Sequence, residues 1–236
     1  MKFFILGDSF GLGEWEVNSG IMELVPNTGL DFYLKQLGHS TTNASAGSAS
    51  NFGQLRNAYW RLKEDSDYDY IVWFHTGPIR DIVETVIDDP NEALNQYPDF
   101  KSIKNYLTAL EYINKCNYNF AQQRIYAEFQ IPFIVIGGAG RIDESINNFT
   151  FAHYKIYSWT QELLKMNRNP PMNSLAWQRS LEVFDHFDYN RQEVIDEIKS
   201  AEEYRNLLKL SPLFPDDTHV IRSEYEKLAH RIIKML

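Results

Sequence analysis

Three short runs of consecutive apolar residues constrain this chain more than any other feature: "KFFIL" at 2–6, "YIVWF" at 70–74 and "IPFIVIGGAG" at 131–140. A strand with one wet face alternates apolar and polar residues. A strand that is apolar at every position is buried on both faces, as in a parallel sheet covered by helices. The residues between these runs carry apolar side chains at helical spacing, such as Leu55, Tyr59 and Leu62 within 52–64. Strands separated by helical segments predict a parallel sheet with helices on both sides, a three-layer α/β/α sandwich.

The remaining elements follow from periodicity and punctuation. Residues 7–28 read as a loop rich in Gly, Glu and Trp. Residues 29–37 "GLDFYLKQL" read as a helix closed by Gly38. Residues 39–45 form a weak strand that runs into the small-residue loop "AGSASN". A long helix covers about 100–129, and helical stretches are expected at 152–167, 190–209 and 221–235. The segment from about 141 to 213 is too long for one connection and is expected to be a helical insertion near the carboxyl edge of the sheet. Nothing divides residues 1–236 into two, so a single domain is expected.

Composition narrows the function. With 23 Lys and Arg against 32 Asp and Glu, the formal charge is −9, and the basic residues do not cluster. That disfavours nucleic acid and anionic membranes as partners. Apolar residues make up 44% of the chain, an ordinary globular share, but no run approaches the roughly 20 residues that cross a bilayer. "KFFIL" is too short for the core of a signal peptide, so a location that is cytoplasmic, or otherwise reached without a classical signal peptide, is expected. The single cysteine, Cys116, cannot pair within the chain and reads as a small packing residue in a helix. The glycines form no G-x-G-x-x-G and no P-loop, and the histidines show no zinc spacing, so no cofactor or metal is expected.

Two stretches at opposite ends of the chain carry candidate chemistry. The first strand stops on Gly7-Asp8-Ser9-Phe10, which would set Ser9 just beyond the carboxyl end of a strand, where open α/β sheets bind ligands. Taken alone, the same residues also read as a turn and a helix cap. At the far end, Asp216-Asp217-Thr218-His219 precedes an amphipathic segment with Tyr225, Leu228, Ile232 and Ile233. A serine hydroxyl needs a base to become a nucleophile, and a histidine base needs an acceptor for its other N–H. An Asp three residues before a His can supply that acceptor, or can simply cap the helix.

Together the two ends resemble the SGNH, or GDSL-type, hydrolase family, with Gly7-Asp8-Ser9-Phe10 as the first block and Asp216-x-x-His219 as the last. The resemblance implies a flavodoxin-like sheet, Ser9 as nucleophile, His219 as general base and Asp216 as its orienting carboxylate. It also implies an oxyanion hole from the N–H groups of Ser9 and of Gly47, in "NASAGSAS". The family's third block, Gly-x-Asn-Asp, supplies an asparagine after the third strand. Here that place reads "HTGPIRD", with no asparagine at the matching position. Loss of one oxyanion donor typically lowers a rate by roughly 100- to 1,000-fold. Arg80 could stand in as a cationic donor or grip an anionic group, and it also reads as an ordinary surface ion-pair partner. His75, at the strand end, could touch substrate or be a packed core histidine.

Two functions are therefore expected from this reading. One is a serine esterase acting on a small-molecule or carbohydrate ester, such as an O-acetyl group. The other is a non-catalytic module of the same fold that binds a ligand or glycan within a larger assembly.

Overall fold

A computed structural model describes residues 1–13, 15–18, 21–25, 29–47, 49–76, 100–138, 142, 152–166, 203–204, 206–214 and 219–236. Five strands, β1 (Lys2–Leu6), β4 (Ser40–Asn43), β5 (Tyr70–His75), β6 (Phe133–Gly137) and β7 (Ala152–Ile156), form one sheet. All four pairings within it are parallel. Two further strands, β2 (Trp15–Asn18) and β3 (Ile21–Leu24), pair antiparallel as a separate hairpin. The described residues include the helices α1 (Ser9–Leu12), α2 (Leu30–Gln36), α3 (Asn51–Glu64), α4 (Phe100–Phe129), α5 (Trp159–Leu163) and α6 (Arg222–Met235).

Successive strand residues point to opposite faces, and the two faces bury different residues. Phe3 and Ile5 of β1, Val72 and Phe74 of β5, and Ile134 and Ile136 of β6 share one core with Leu30 and Leu34 of α2 and Tyr225, Leu228 and Ile232 of α6. Phe4 and Leu6, Ile71 and Trp73, and Phe133 and Val135 share the other with Leu55, Ala58 and Leu62 of α3 and Tyr118 and Ile125 of α4. Every one of these strand residues is 0–1% exposed, which is why the sequence runs are uniformly apolar. Helices therefore cover both faces, and the chain is a three-layer α/β/α sandwich.

Helix α6 shows how the local sequence makes one of these layers. Tyr225, Leu228, Ala229 and Ile232 recur at the spacing of one helical face and are all buried. Glu224 in its first turn and Lys234 in its last complement the helix dipole. Arg231, on its outer side, donates to the Tyr154 hydroxyl of β7 at 2.7 Å and to Glu162 of α5 at 2.5 Å, which ties the helix to the edge of the sheet.

The strand order is β4-β1-β5-β6-β7. From β1 the chain goes to one side to form β4, then returns across to form β5 on the other. The reversal puts the topological switch point at the carboxyl ends of β1 and β5, the place where doubly wound sheets of this order bind ligands. The register pairs Leu6 with Trp73, so Gly7 to Ser9 emerge directly beside the end of β5.

Three expectations need correction. Residues 152–167 read as one helix, but 152–156 form the fifth strand and only 159–163 are helical. The stretch 7–28 read as loop, yet it contains α1 and the β2–β3 hairpin. Cys116 does lie in a helix, but it is exposed and packs in no core. Within 190–209, the described residues 203–204 and 206–209 are helical. No helix among the described residues is long and apolar enough to cross a membrane.

Candidate active site

Gly7 makes the turn out of β1. Its φ is +155°, and a Cβ there would lie 2.7 Å from the Phe74 Cβ, so only glycine lets the chain pass this close to β5. Asp8 then caps α1, accepting a hydrogen bond from the Phe10 N–H at 2.9 Å. Ser9 is the first residue of that helix and is 7% exposed. Gly13 closes it with φ +63°, donating its N–H to the Ser9 carbonyl at 2.9 Å. Asp8 and Ser9 thus form the cap and first residue of a helix that starts at the carboxyl end of β1.

The loop after β4 is laced to this turn. The Ala44 N–H donates to the Ile5 carbonyl at 2.8 Å and the Ala46 N–H to the Gly7 carbonyl at 3.0 Å, extending the ladder past the end of the strands. Asn43 donates to the Gly11 carbonyl at 3.1 Å and accepts from the Ser45 N–H at 3.0 Å. Gly47 follows directly, exposed, with open space on the side where a Cβ would project. The backbone at Gly47 is therefore accessible next to the Ser9 turn.

The far end of the chain meets the same turn from the α6 face. The Tyr225 hydroxyl donates to the Phe10 carbonyl at 3.0 Å, across 215 positions of sequence. The half-buried His219 ring lies 6.5 Å from that of Phe10, centroid to centroid. Trp159 of α5 packs on Phe10 at 6.4 Å, on Phe74 at 6.1 Å and on Tyr225 at 5.0 Å. A Cβ at Gly138, the residue after β6, would touch Phe10 at 3.2 Å. Phe10 is thus gripped on several sides, which immobilises the turn carrying Ser9. One wall is completed by Thr160, which donates to the Gly138 carbonyl at 2.8 Å, and by Tyr204, bonded to Thr160. Burial pushes the Tyr204 phenol up to about 12, against that hydrogen bond, so the ring stays neutral.

Of the residues singled out in the sequence, Ser9, Gly47 and His219 come to one edge of the sheet. Asp216 and Arg80 lie outside the described residues. His75 is at the end of β5 as expected, but it is 1% exposed, with its ring 5.1 Å from both Trp73 and Tyr118. That is the environment of a packed histidine. Among the described residues, no group of three or more His, Cys, Asp or Glu side chains is arranged to hold a metal ion. Sequence reasoning missed Tyr225 and Trp159 as supports of the turn. Tyr225 was legible as a core residue of the last helix, but nothing in the pattern discloses that its hydroxyl reaches back to residue 10.

No family model and no curated protein matches the chain. Among solved structures it is similar to TesA, at 12% identity and a TM-score of 0.43 over 100% of this chain and 98% of that one. It is also similar to Axe2, an acetylxylan esterase from Geobacillus stearothermophilus, at 14% identity and 0.41 over 99% and 93%. A member of the lipolytic protein G-D-S-L family from Veillonella parvula gives 14% and 0.40 over 99% and 96%. The fold itself rests on the chain's own geometry: an all-parallel sheet, its strand order and helices on both faces. It is flavodoxin-like.

Proposed function

We propose that the chain is a serine hydrolase of the SGNH type that cleaves a carboxylic ester, such as an O-acetyl group on a carbohydrate. The observation that carries this reading is the meeting of the chain's two ends at the switch point, with Ser9 held in its turn and His219 against the neighbouring Phe10. A surface serine or a helix cap alone would not need a histidine brought there from 210 positions away.

In this reading His219 removes the Ser9 hydroxyl proton as the oxygen attacks the ester carbonyl carbon. Asp216 accepts the other ring N–H, setting the tautomer and stabilising the imidazolium. The oxyanion of the tetrahedral intermediate is met by the N–H groups of Ser9 and Gly47, and by Arg80 in place of the absent asparagine. Collapse breaks the bond to the alcohol, which leaves with the proton from His219. Water then repeats the sequence and releases the acid. His75, enclosed between Trp73 and Tyr118, is given no part.

The test is covalent labelling with a fluorophosphonate, read by mass spectrometry on the N-terminal peptide, beside hydrolysis of p-nitrophenyl acetate. Ser9 is expected to carry the label. Ser9→Ala is expected to abolish labelling and lower turnover by roughly 10^4-fold or more. Equal turnover in wild type and Ser9→Ala would refute the assignment. The missing asparagine favours a second reading, a binding module without turnover. That reading predicts no label on Ser9 and no hydrolysis of any ester.

A further inference from the structure

Asn51, the first residue of α3, is 1% exposed and bonds to a single residue in both directions. Its Nδ2 donates to the Thr76 carbonyl at 2.8 Å, and its Oδ1 accepts from the Thr76 N–H at 2.9 Å. Thr76 is the residue that leaves β5, itself 2% exposed and beyond the last ladder pair of the sheet, His75 with Gly137. Both of its main-chain groups are buried and have left the strand pairing. A carboxamide is suited to such a site, because one planar group of this size both donates and accepts. Gly138, on the other flank, donates its N–H to the His75 carbonyl at 3.0 Å.

The position of Asn51 gives this clamp its meaning. Four residues earlier stands Gly47, and the Ser50 side chain between them accepts from the Gly53 N–H at 3.2 Å to cap α3. The Ala49 N–H donates to the Ala46 carbonyl at 3.2 Å, so the chain around Gly47 turns into the start of α3, to which Asn51 bonds the end of β5. Residues 77–81, which follow Thr76, are where the resembled pattern seats its third oxyanion donor.

We propose that Asn51 is a positioning residue for the hydrolysis, locking the end of β5 and the Gly47 loop into one rigid frame beside Ser9. The inference rests on the hydrolase reading above. It assigns Asn51 no contact with substrate. Its effect is on where the oxyanion donors stand, and a misplacement of about 1 Å can lower a rate by up to roughly 100-fold.

Two variants test it. Asn51→Leu keeps the shape and removes both hydrogen bonds, whereas Asn51→Asp keeps the acceptor and loses the donor. Two readouts are taken on the full chain, with circular dichroism showing that each variant is folded at the assay temperature. Hydrogen exchange of the peptide containing Thr76 is expected to quicken in Asn51→Leu while that of β1 does not change. On p-nitrophenyl acetate both variants are expected to lose kcat by about 10- to 100-fold with KM within about twofold, the pattern of a lost transition-state interaction. A more conservative Asn51→Gln, one methylene longer, is expected to fall between them and wild type. Unchanged exchange at Thr76, or wild-type kcat in a variant with faster exchange, overturns the proposal. A wild-type chain that neither labels nor turns over refutes the hydrolase reading itself and this role with it, and the exchange arm distinguishes that outcome from failure of the clamp alone.

Discussion

Replacing Tyr225 with Phe removes one oxygen from a ring that is 1% exposed, and that oxygen donates to the Phe10 carbonyl at 3.0 Å. The ring's contacts with Trp159 and with Gly13 are made by carbon atoms and survive in phenylalanine. The change therefore removes the hydrogen bond to Phe10 and keeps the ring. Phe10 is 3% exposed, so its carbonyl loses that donor in a place water does not reach. A buried group deprived of its partner destabilises by about 1–3 kcal/mol. Taking about 2 kcal/mol, and roughly 2–4 °C per kcal/mol for a domain of this length, Tm should fall by about 4–8 °C. Tyr225→Ala also empties the buried space beside Trp159 and should destabilise by about 3–5 kcal/mol. Thermal unfolding followed by circular dichroism gives both values, with urea midpoints as a check. If Tyr225→Phe unfolds within about 1 °C of wild type while Tyr225→Ala falls as expected, the hydroxyl does not hold the turn. The account of how the two chain ends are joined would then be wrong.

Glycine positions supply a second comparison. Gly7→Ala should destabilise by about 2 kcal/mol or more, since its Cβ would meet Phe74 at 2.7 Å and its φ is +155°. Gly38→Ala, at φ +83° with nothing within 4 Å, should lose only about 1–2 kcal/mol, and equal urea midpoints would refute the steric argument. Between α3 and α4, Lys63 and the Tyr59 hydroxyl hydrogen-bond Glu128, with Lys63 the main cause holding its carboxyl below the usual range. A depressed folded-state value means the stabilisation is present above the ordinary carboxylate pKa, near 4, and is lost as pH falls through the lowered one. Glu128→Gln should accordingly narrow the gap in Tm between pH 7 and pH 3, and an unchanged gap would show that the pair contributes nothing.

Strands β1, β5 and β6 were legible because both their faces are buried, which leaves no polar residue to blur the pattern. β7, Ala152–Ile156, was misread because it is an edge strand. Its "AHYKI" runs on into Trp159 and Leu163 at spacings that fit a helix equally well. The β2–β3 hairpin was missed for a related reason: strands of four residues carry too few positions to establish a period. At the candidate site, Ser9 and His219 were visible as motifs, because the proposed chemistry requires those side chains. Asn51 and Tyr225 were not, because each acts through a hydrogen bond to a main-chain atom far away in sequence. Such a bond depends on where the backbone arrives and leaves no mark on the identity of its partner.

The bond from Tyr225 to Phe10 also has a kinetic side. It closes a loop of 215 positions, whereas α3 and its neighbours β4 and β5 lie within a few dozen residues of one another. Contacts between near neighbours form early in folding, and a contact that waits on so wide a closure forms late. A refolding chain should recover its helical signal before Ser9 regains its native surroundings. On the hydrolase reading, labelling of Ser9 followed in time would then act as a clock for the last step of assembly.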